Sequence, residues 1–345
     1  MQKPNESCGA IVVGIALDPF FQSENNQPYS RTAEITNLLR VARIMARTLG
    51  APLHLVSVWE TKLIDMAKAF QRLPHIDWQH LQLEALSQSI RNKIQSSCDH
   101  QLEHIAREID PDLTVTRQVV TAKYPAQGLL AEAEKHQASL ILLGSGTKAD
   151  NYFTQSFSTP LSTMAETVVP VLVVGPECQA DFSKQGLRVV LADDLRDTTF
   201  PAMQKAATWL IKLDVSDLLH VHIEELSLDR ARQILGTATV ELRSTLEWEK
   251  LSSDLMHALD VTMRERLQGR IPEVKAFIES KGGTLRTEVR RCPHVRDEIE
   301  RAADEFKADL IIFGRHQKVH QRPYMVGRVT YQAMISQKRA VMVIP

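Results

Sequence analysis

The chain lacks a charge excess of either sign. Its 345 residues carry 41 lysines and arginines against 42 aspartates and glutamates, a formal net charge of -1. So even a balance gives no electrostatic reason to expect nucleic acid or an anionic membrane as a partner. Cysteine is scarce too: Cys8, Cys98, Cys178 and Cys292 are the four. They are far apart and form no CxxC, so neither a zinc ribbon nor a disulfide framework is signalled. They read as reduced thiols of a cytoplasmic protein. No apolar run approaches the roughly 20 residues of a membrane-spanning helix. The run Gly9–Leu17 has only Lys3 ahead of it, and Asp18-Pro19 follows without an evident cleavage site. It reads as a buried strand rather than a signal peptide. Catalytic signatures are missing as well. There is no G-x-S-x-G, no HExxH and no complete GxxxxGKS/T, so no catalytic residue is assigned and the chain reads as a non-enzyme.

What is present is a globular composition, 43% hydrophobic and 24% charged, at a length that suits two domains. The same order of elements occurs twice. "AIVVGIALD" (10–18) answers "RVVLADDLRD" (188–197), and each is followed by a helical pattern, 31–50 and 198–214. "APLHLVSVWE" (51–60) answers "SDLLHVHIEE" (216–225), and long helical stretches follow, through 110 and 281. "LTVTRQVV" (113–120) answers "TLRTEVRR" (284–291), and "YPAQGLLAEAEKHQASLILLG" (124–144) answers "CPHVRDEIERAADEFKADLIIFG" (292–314). "PVLVVG" (170–175) answers "AVMVIP" (340–345). Short apolar strands alternating with helices predict a parallel α/β sheet in each half, covered on both faces. The expected domains are 1–178 and 186–345, with a polar boundary near 177–186.

Two stretches exceed a simple crossover. One is 61–80, with Pro74 and Trp78. The other is 226–270, where the pattern predicts an amphipathic helix over 240–262 with Val240, Leu251, Leu255 and Leu259 on its apolar side and Trp248 within it.

"RTLGAPLHLVSVWE", "KADLIIFGRH" and "STMAETVVPVLVV" carry a resemblance, and each half is similar to a universal stress protein domain. The resemblance implies two doubly wound five-stranded parallel sheets of order 3-2-1-4-5. It further implies an intramolecular pseudo-dimer through the last strands, 171–175 and 341–344, and a role in stress survival. In the nucleotide-binding branch of that family, the fourth strand runs into G-x2-G-x9-G-S/T, and an Asp at the end of the first strand faces the base or ribose. Glycines there let backbone approach phosphate oxygens, and a helix N-terminus attracts the anion.

Laid on that motif, the first half keeps Gly144 and Ser158 but has Thr147 and Phe157 at the other two glycine positions, and Ala16 at the Asp position. The second half keeps Asp193, Gly314 and Gly327 but has Gln317 and Arg328 in place of a glycine and the hydroxyl. The motifs are therefore read as degenerate. No cofactor is expected, and ATP with weak ATPase activity through the second half is the alternative. Arg315, Lys318, Arg322 and Arg328 make the second loop basic, which suits either a solvated loop or an acidic ligand. His316 and His320, with Cys292 and His294, lack a third ligand at metal spacing, and no metal site is assigned. His220 and His222 share one face of a strand and read as core-edge residues. A small apolar ligand under the 226–270 insertion is the remaining reading. The partner is not specified by the sequence, and a homodimer of tandem chains is compatible with it.

Overall fold

The computed structural model describes residues 9–17, 33–61, 83–145, 159–180, 182, 186–225, 245–315, 329–330, 333 and 338–345. The stretch 62–82, with Pro74 and Trp78, lies outside them, as do 226–244 with Val240. The chain divides into two compact units, Met1–Cys178 and Gln179–Pro345.

The first unit has strands β1 (Ile11–Gly14), β2 (Leu53–Glu60), β3 (Val115–Ala122), β4 (Leu140–Gly144) and β5 (Val171–Val174). Its helices are α1 (Ala33–Leu49), α2 (Leu83–Ile109), α3 (Pro125–Lys135) and α4 (Thr159–Glu166). All pairings are parallel and run β3-β2-β1-β4-β5. The second unit has β6 (Leu187–Ala192), β7 (Val215–Glu224), β8 (Thr284–Arg291), β9 (Leu310–Gly314) and β10 (Ala340–Ile344). Its helices are α5 (Phe200–Lys212), α6 (Thr245–Gln268), α7 (Pro272–Ser280) and α8 (Val295–Phe306). The order repeats as β8-β7-β6-β9-β10, again parallel. Each unit is thus the doubly wound 3-2-1-4-5 sheet that the alternating pattern and the resemblance called for.

The reason lies in side-chain patterning. The inner strands are apolar on both faces, and Ile11, Val12, Val13, Leu140, Ile141, Leu310 and Ile311 are fully buried. Helices must cover both faces of such a sheet. Helix α1 does so with Ile35, Leu38, Leu39, Ala42 and Met45, a 3.6-residue stripe. The strands β3 and β8 pair on one side only within their units and carry Arg117 and Gln118, and Arg286, Glu288, Arg290 and Arg291, respectively. Charge on such strands discourages a further strand from adding.

The repeat also survives in the backbone. Helices α1 and α5 end in a left-handed residue, Gly50 (φ 61°) and Asp214 (φ 57°). Helices α3 and α8 do the same with Gln137 (φ 48°) and Lys307 (φ 52°). In each unit the chain thereby reverses and enters the next strand directly. Only one of the four is glycine, the residue for which this conformation is free of cost.

Helix α6 confirms a helix in the insertion, but its buried line is shifted from the predicted one. Ser252, Met256 and Leu267 are buried, whereas Leu251, Leu255 and Leu259 are half-buried. Met263 is half-buried like the leucines, and lines the cleft together with Leu259. The side chain of Trp248 lies outside the described residues.

Candidate functional site

In each unit the chain leaves the central strand in one direction and returns on its other side. In the second unit, β6 leads through α5 to β7, while β8 leads through α8 to β9 on the opposite flank of β6. Crossovers diverge there, and a crevice opens at the carboxyl ends of the strands. It is filled by a cleft of about 660 Å³. Its floor is apolar, with Val221, Phe313 and Val343 from the strands and Met203 from α5. Helix α6 forms one wall with Leu259, Met263 and Arg266, and α8 contributes Val295 and Ile299. Among the described lining residues are three arginines, Arg196, Arg266 and Arg315, and four carboxylates, Asp193, Asp194, Glu224 and Glu225.

Asp193 stands at the end of β6, where the sequence placed it. Its side chain is fully buried and surrounded by donors. Oδ1 accepts from the backbone N–H of Leu195 (2.8 Å) and from Arg270 Nη2 (3.2 Å). Oδ2 lies 3.3 Å from His220 Nε2 and 2.8 Å from Arg270 Nε. Arg270 Nε is off the hydrogen-bond line, so that contact is coulombic. Burial by itself would raise the carboxyl pKa, but His220, Arg270 and the Leu195 amide together hold it below its ordinary value. Arg270 follows α6, is itself buried, donates to Arg196 O (2.6 Å) and lies 5.2 Å from the centre of the Phe200 ring.

The turn after Asp193 is built by the same carboxylates. Asp194 Oδ1 accepts from Arg196 N (3.1 Å) and from Thr199 Oγ1 (2.6 Å). Leu195, between them, has φ 58°, a conformation that a branched side chain adopts only when its surroundings enforce it. His220 and His222 are both buried and both face this turn, since His222 Nδ1 lies 2.8 Å from Asp193 O.

Gly314 ends β9 at the rim, and Arg315 continues the cleft lining. Burial lowers the Arg315 pKa from the usual guanidinium value. Gly314 and its counterpart Gly144 are not among the left-handed residues. Both are closely approached by a side chain instead. A Cβ on Gly314 would meet Met203 Cε, and one on Gly144 would lie 2.6 Å from Glu34 Oε1. In the first unit, Ser145 Oγ donates to that same Glu34 oxygen (3.2 Å). A carboxylate therefore sits beside Gly144 and Ser145, where the motif begins. Ala16 is exposed at the end of β1 and supplies no acid there.

Ser158, Gly327 and Arg328 lie outside the described residues, as do Thr147, Phe157, Gln317, His316 and His320. Among the described residues, Cys98, Cys178 and Cys292 form no disulfide, and no helix is long and apolar enough to cross a membrane. Sequence reasoning missed Arg270. Arg270 sits 77 positions from Asp193 with no local pattern to mark it.

Among curated protein sequences none matches this chain. Solved structures do. A universal stress protein from Archaeoglobus fulgidus DSM 4304 is 13% identical with a TM-score of 0.56, over 98% of this chain and 96% of that one. A chain described as a universal stress protein from Pseudomonas aeruginosa UCBPP-PA14 is 15% identical with a TM-score of 0.51, over 98% and 93%. A functionally unknown protein from Pseudomonas aeruginosa PAO1 is 14% identical with a TM-score of 0.50, over 96% and 92%. At such identities the likeness concerns the fold. The family model, described as the universal stress protein family, matches twice, over residues 28–175 and 187–345. The chain belongs to the universal stress protein family and carries two of its domains in tandem.

Proposed function

We propose that this chain is a non-enzymatic binding and regulatory protein of the stress response. In this reading its nucleotide motifs have degenerated, and its second unit holds a small amphipathic ligand in the cleft beneath α6. The observation that carries the reading is the engagement of Asp193. Its two oxygens already accept from the Leu195 amide, Arg270 Nη2 and His220 Nε2 and lie against the Arg270 charge, which leaves little of the carboxylate for a base or ribose. The described lining also has one carboxylate more than it has arginines, a poor match for a triphosphate. Its apolar floor suits a hydrocarbon or aromatic portion, and the charged rim suits a polar end. The sequence carries no nucleophile–base signature, which favours binding over catalysis. Residence in the cytoplasm and assembly of tandem chains into a homodimer belong to the same proposal.

The competing reading is ATP binding with weak hydrolysis in the second unit. Calorimetric titration of the intact chain with Mg-ATP separates the two, together with native mass spectrometry of the purified protein. We expect no saturable heat with Mg-ATP and a co-purifying amphipathic molecule that Met263→Glu displaces. Micromolar Mg-ATP binding, abolished by Asp193→Ala and by Gly327→Trp, would establish the nucleotide reading instead.

A further inference from the structure

The amino ends of the first unit's strands hold a cluster that the cleft chemistry does not use. His54, the second residue of β2, is buried, with Nδ1 2.8 Å from Thr116 Oγ1 on β3 and Nε2 2.9 Å from Glu132 Oε2 on α3. Glu132 is also buried. His136, the residue that ends α3, places Nε2 3.4 Å from the same Glu132 oxygen. Glu132 and His136 are four apart at a helix end and so share a face. The two imidazoles are stacked, with centroids 3.7 Å apart and planes inclined at 26°, so an ion shared by both in-plane lone pairs requires the partly exposed His136 ring to turn away from His54. One donor atom from each of His54, Glu132 and His136 lies within 4.8 Å of the other two.

These separations suit a shared ion. Tetrahedral zinc with bonds of about 2.0–2.1 Å holds its donors about 3.3 Å apart. The observed 2.9 and 3.4 Å lie on either side of that spacing. The outer contact is in place as well. Thr116 Oγ1 can accept from His54 Nδ1–H while donating to Leu53 O (3.3 Å), which leaves the Nε2 lone pair for the cluster. His136 Nε2 is buried and has no hydrogen-bond partner, although the rest of its ring is partly exposed.

We infer that His54, Glu132 and His136 form a binding site for one divalent ion of the zinc class. Two imidazoles and a carboxylate select Zn²⁺ and its neighbours over Mg²⁺ or Ca²⁺, which prefer all-oxygen shells. The bound ion fastens the start of β2 to the end of α3. Binding displaces any proton shared between His54 Nε2 and Glu132, which makes the affinity pH-dependent. Lys135 competes for the carboxylate, with Nζ 3.1 and 3.2 Å from its two oxygens. Its side chain is 59% exposed and can swing into solvent when the ion enters.

The test is competition for Zn²⁺ between metal-stripped intact chain and a chromophoric chelator near neutral pH, with the visible spectrum of the Co²⁺ form as a second readout. The wild type should take up one ion at micromolar affinity. His136→Ala, which removes a partly exposed side chain, should weaken that site at least about tenfold. Thr116→Val should weaken it about tenfold through the orientation of His54. Lys135→Gln should tighten it. Zinc uptake unchanged by His136→Ala and Glu132→Gln would overturn the proposal. So would the absence of any Co²⁺ spectrum that depends on these residues, because the cluster would then be a His–Glu–Lys ion-pair network only.

Discussion

At the scale of single residues, the second unit is organised around one buried charge. Asp193 and Arg270 are both withdrawn from solvent, and removing one partner of such a pair leaves the other charge uncompensated. Arg270→Met should therefore cost about 3–5 kcal/mol, read as a lower urea midpoint for the second unit's transition. Asp193→Asn combined with Arg270→Met should recover part of the loss. The depressed pKa of Asp193 sets a pH dependence of defined sign. As pH falls through its ordinary value of 3.8, the unfolded chain takes up the proton first. The stability due to Asp193 is thus complete above that value and is lost as pH drops through the lower, folded value. Urea midpoints measured across this range should fall more steeply for the wild type than for Asp193→Asn. Equal slopes would show that the carboxylate is not held in the way described.

At the scale of elements, helix ends and helix faces make separate predictions. Lys307 ends α8 in the left-handed conformation and is exposed, so its side chain gains little there. Lys307→Gly should stabilise the second unit by about 0.5–1 kcal/mol, the steric relief exceeding the added entropy of the unfolded chain. Helix α6 offers the opposite case. Met256 is buried, and Val261 is 40% exposed. Met256→Ala should cost about 2–5 kcal/mol, whereas Val261→Lys should stay within about 0.5 kcal/mol. Thermal unfolding of the two variants decides which face is core. The apolar pattern showed that a helix lies here, but leucine spacing alone did not reveal that Ser252 and Met256 are buried more deeply than Leu251, Leu255 and Leu259. Half-buried and fully buried apolar residues look the same in a hydropathy pattern.

At the scale of the whole molecule, one fold occurs twice with different chemistry at the same position. The first unit has Glu34 beside Gly144, and the second has Met203 against Gly314. Restoring glycines with Thr147→Gly and Phe157→Gly should therefore fail to create Mg-ATP binding in the first unit, because the Glu34 carboxylate beside Gly144 and Ser145 would repel a phosphate bound there. Calorimetry on that variant, with and without Glu34→Gln, checks this, and binding without the Glu34 change would refute the electrostatic argument. The sequence by itself determined the parallel α/β class, the tandem repeat, the strand order through its resemblance, and the position of Asp193 at a strand end. Each of these is written in local periodicity or in a contiguous motif, because side chains three, four or two apart meet whatever the rest of the chain does. Only the tertiary structure decided that Arg270 occupies Asp193, that Glu34 sits beside Gly144, and that His54 meets Glu132 across 78 positions. Those contacts join residues on separate strands and helices, and no spacing rule links them. They exist because parallel crossovers bring distant segments to the same end of a sheet, where burial then leaves each charge dependent on the partner that packing supplies.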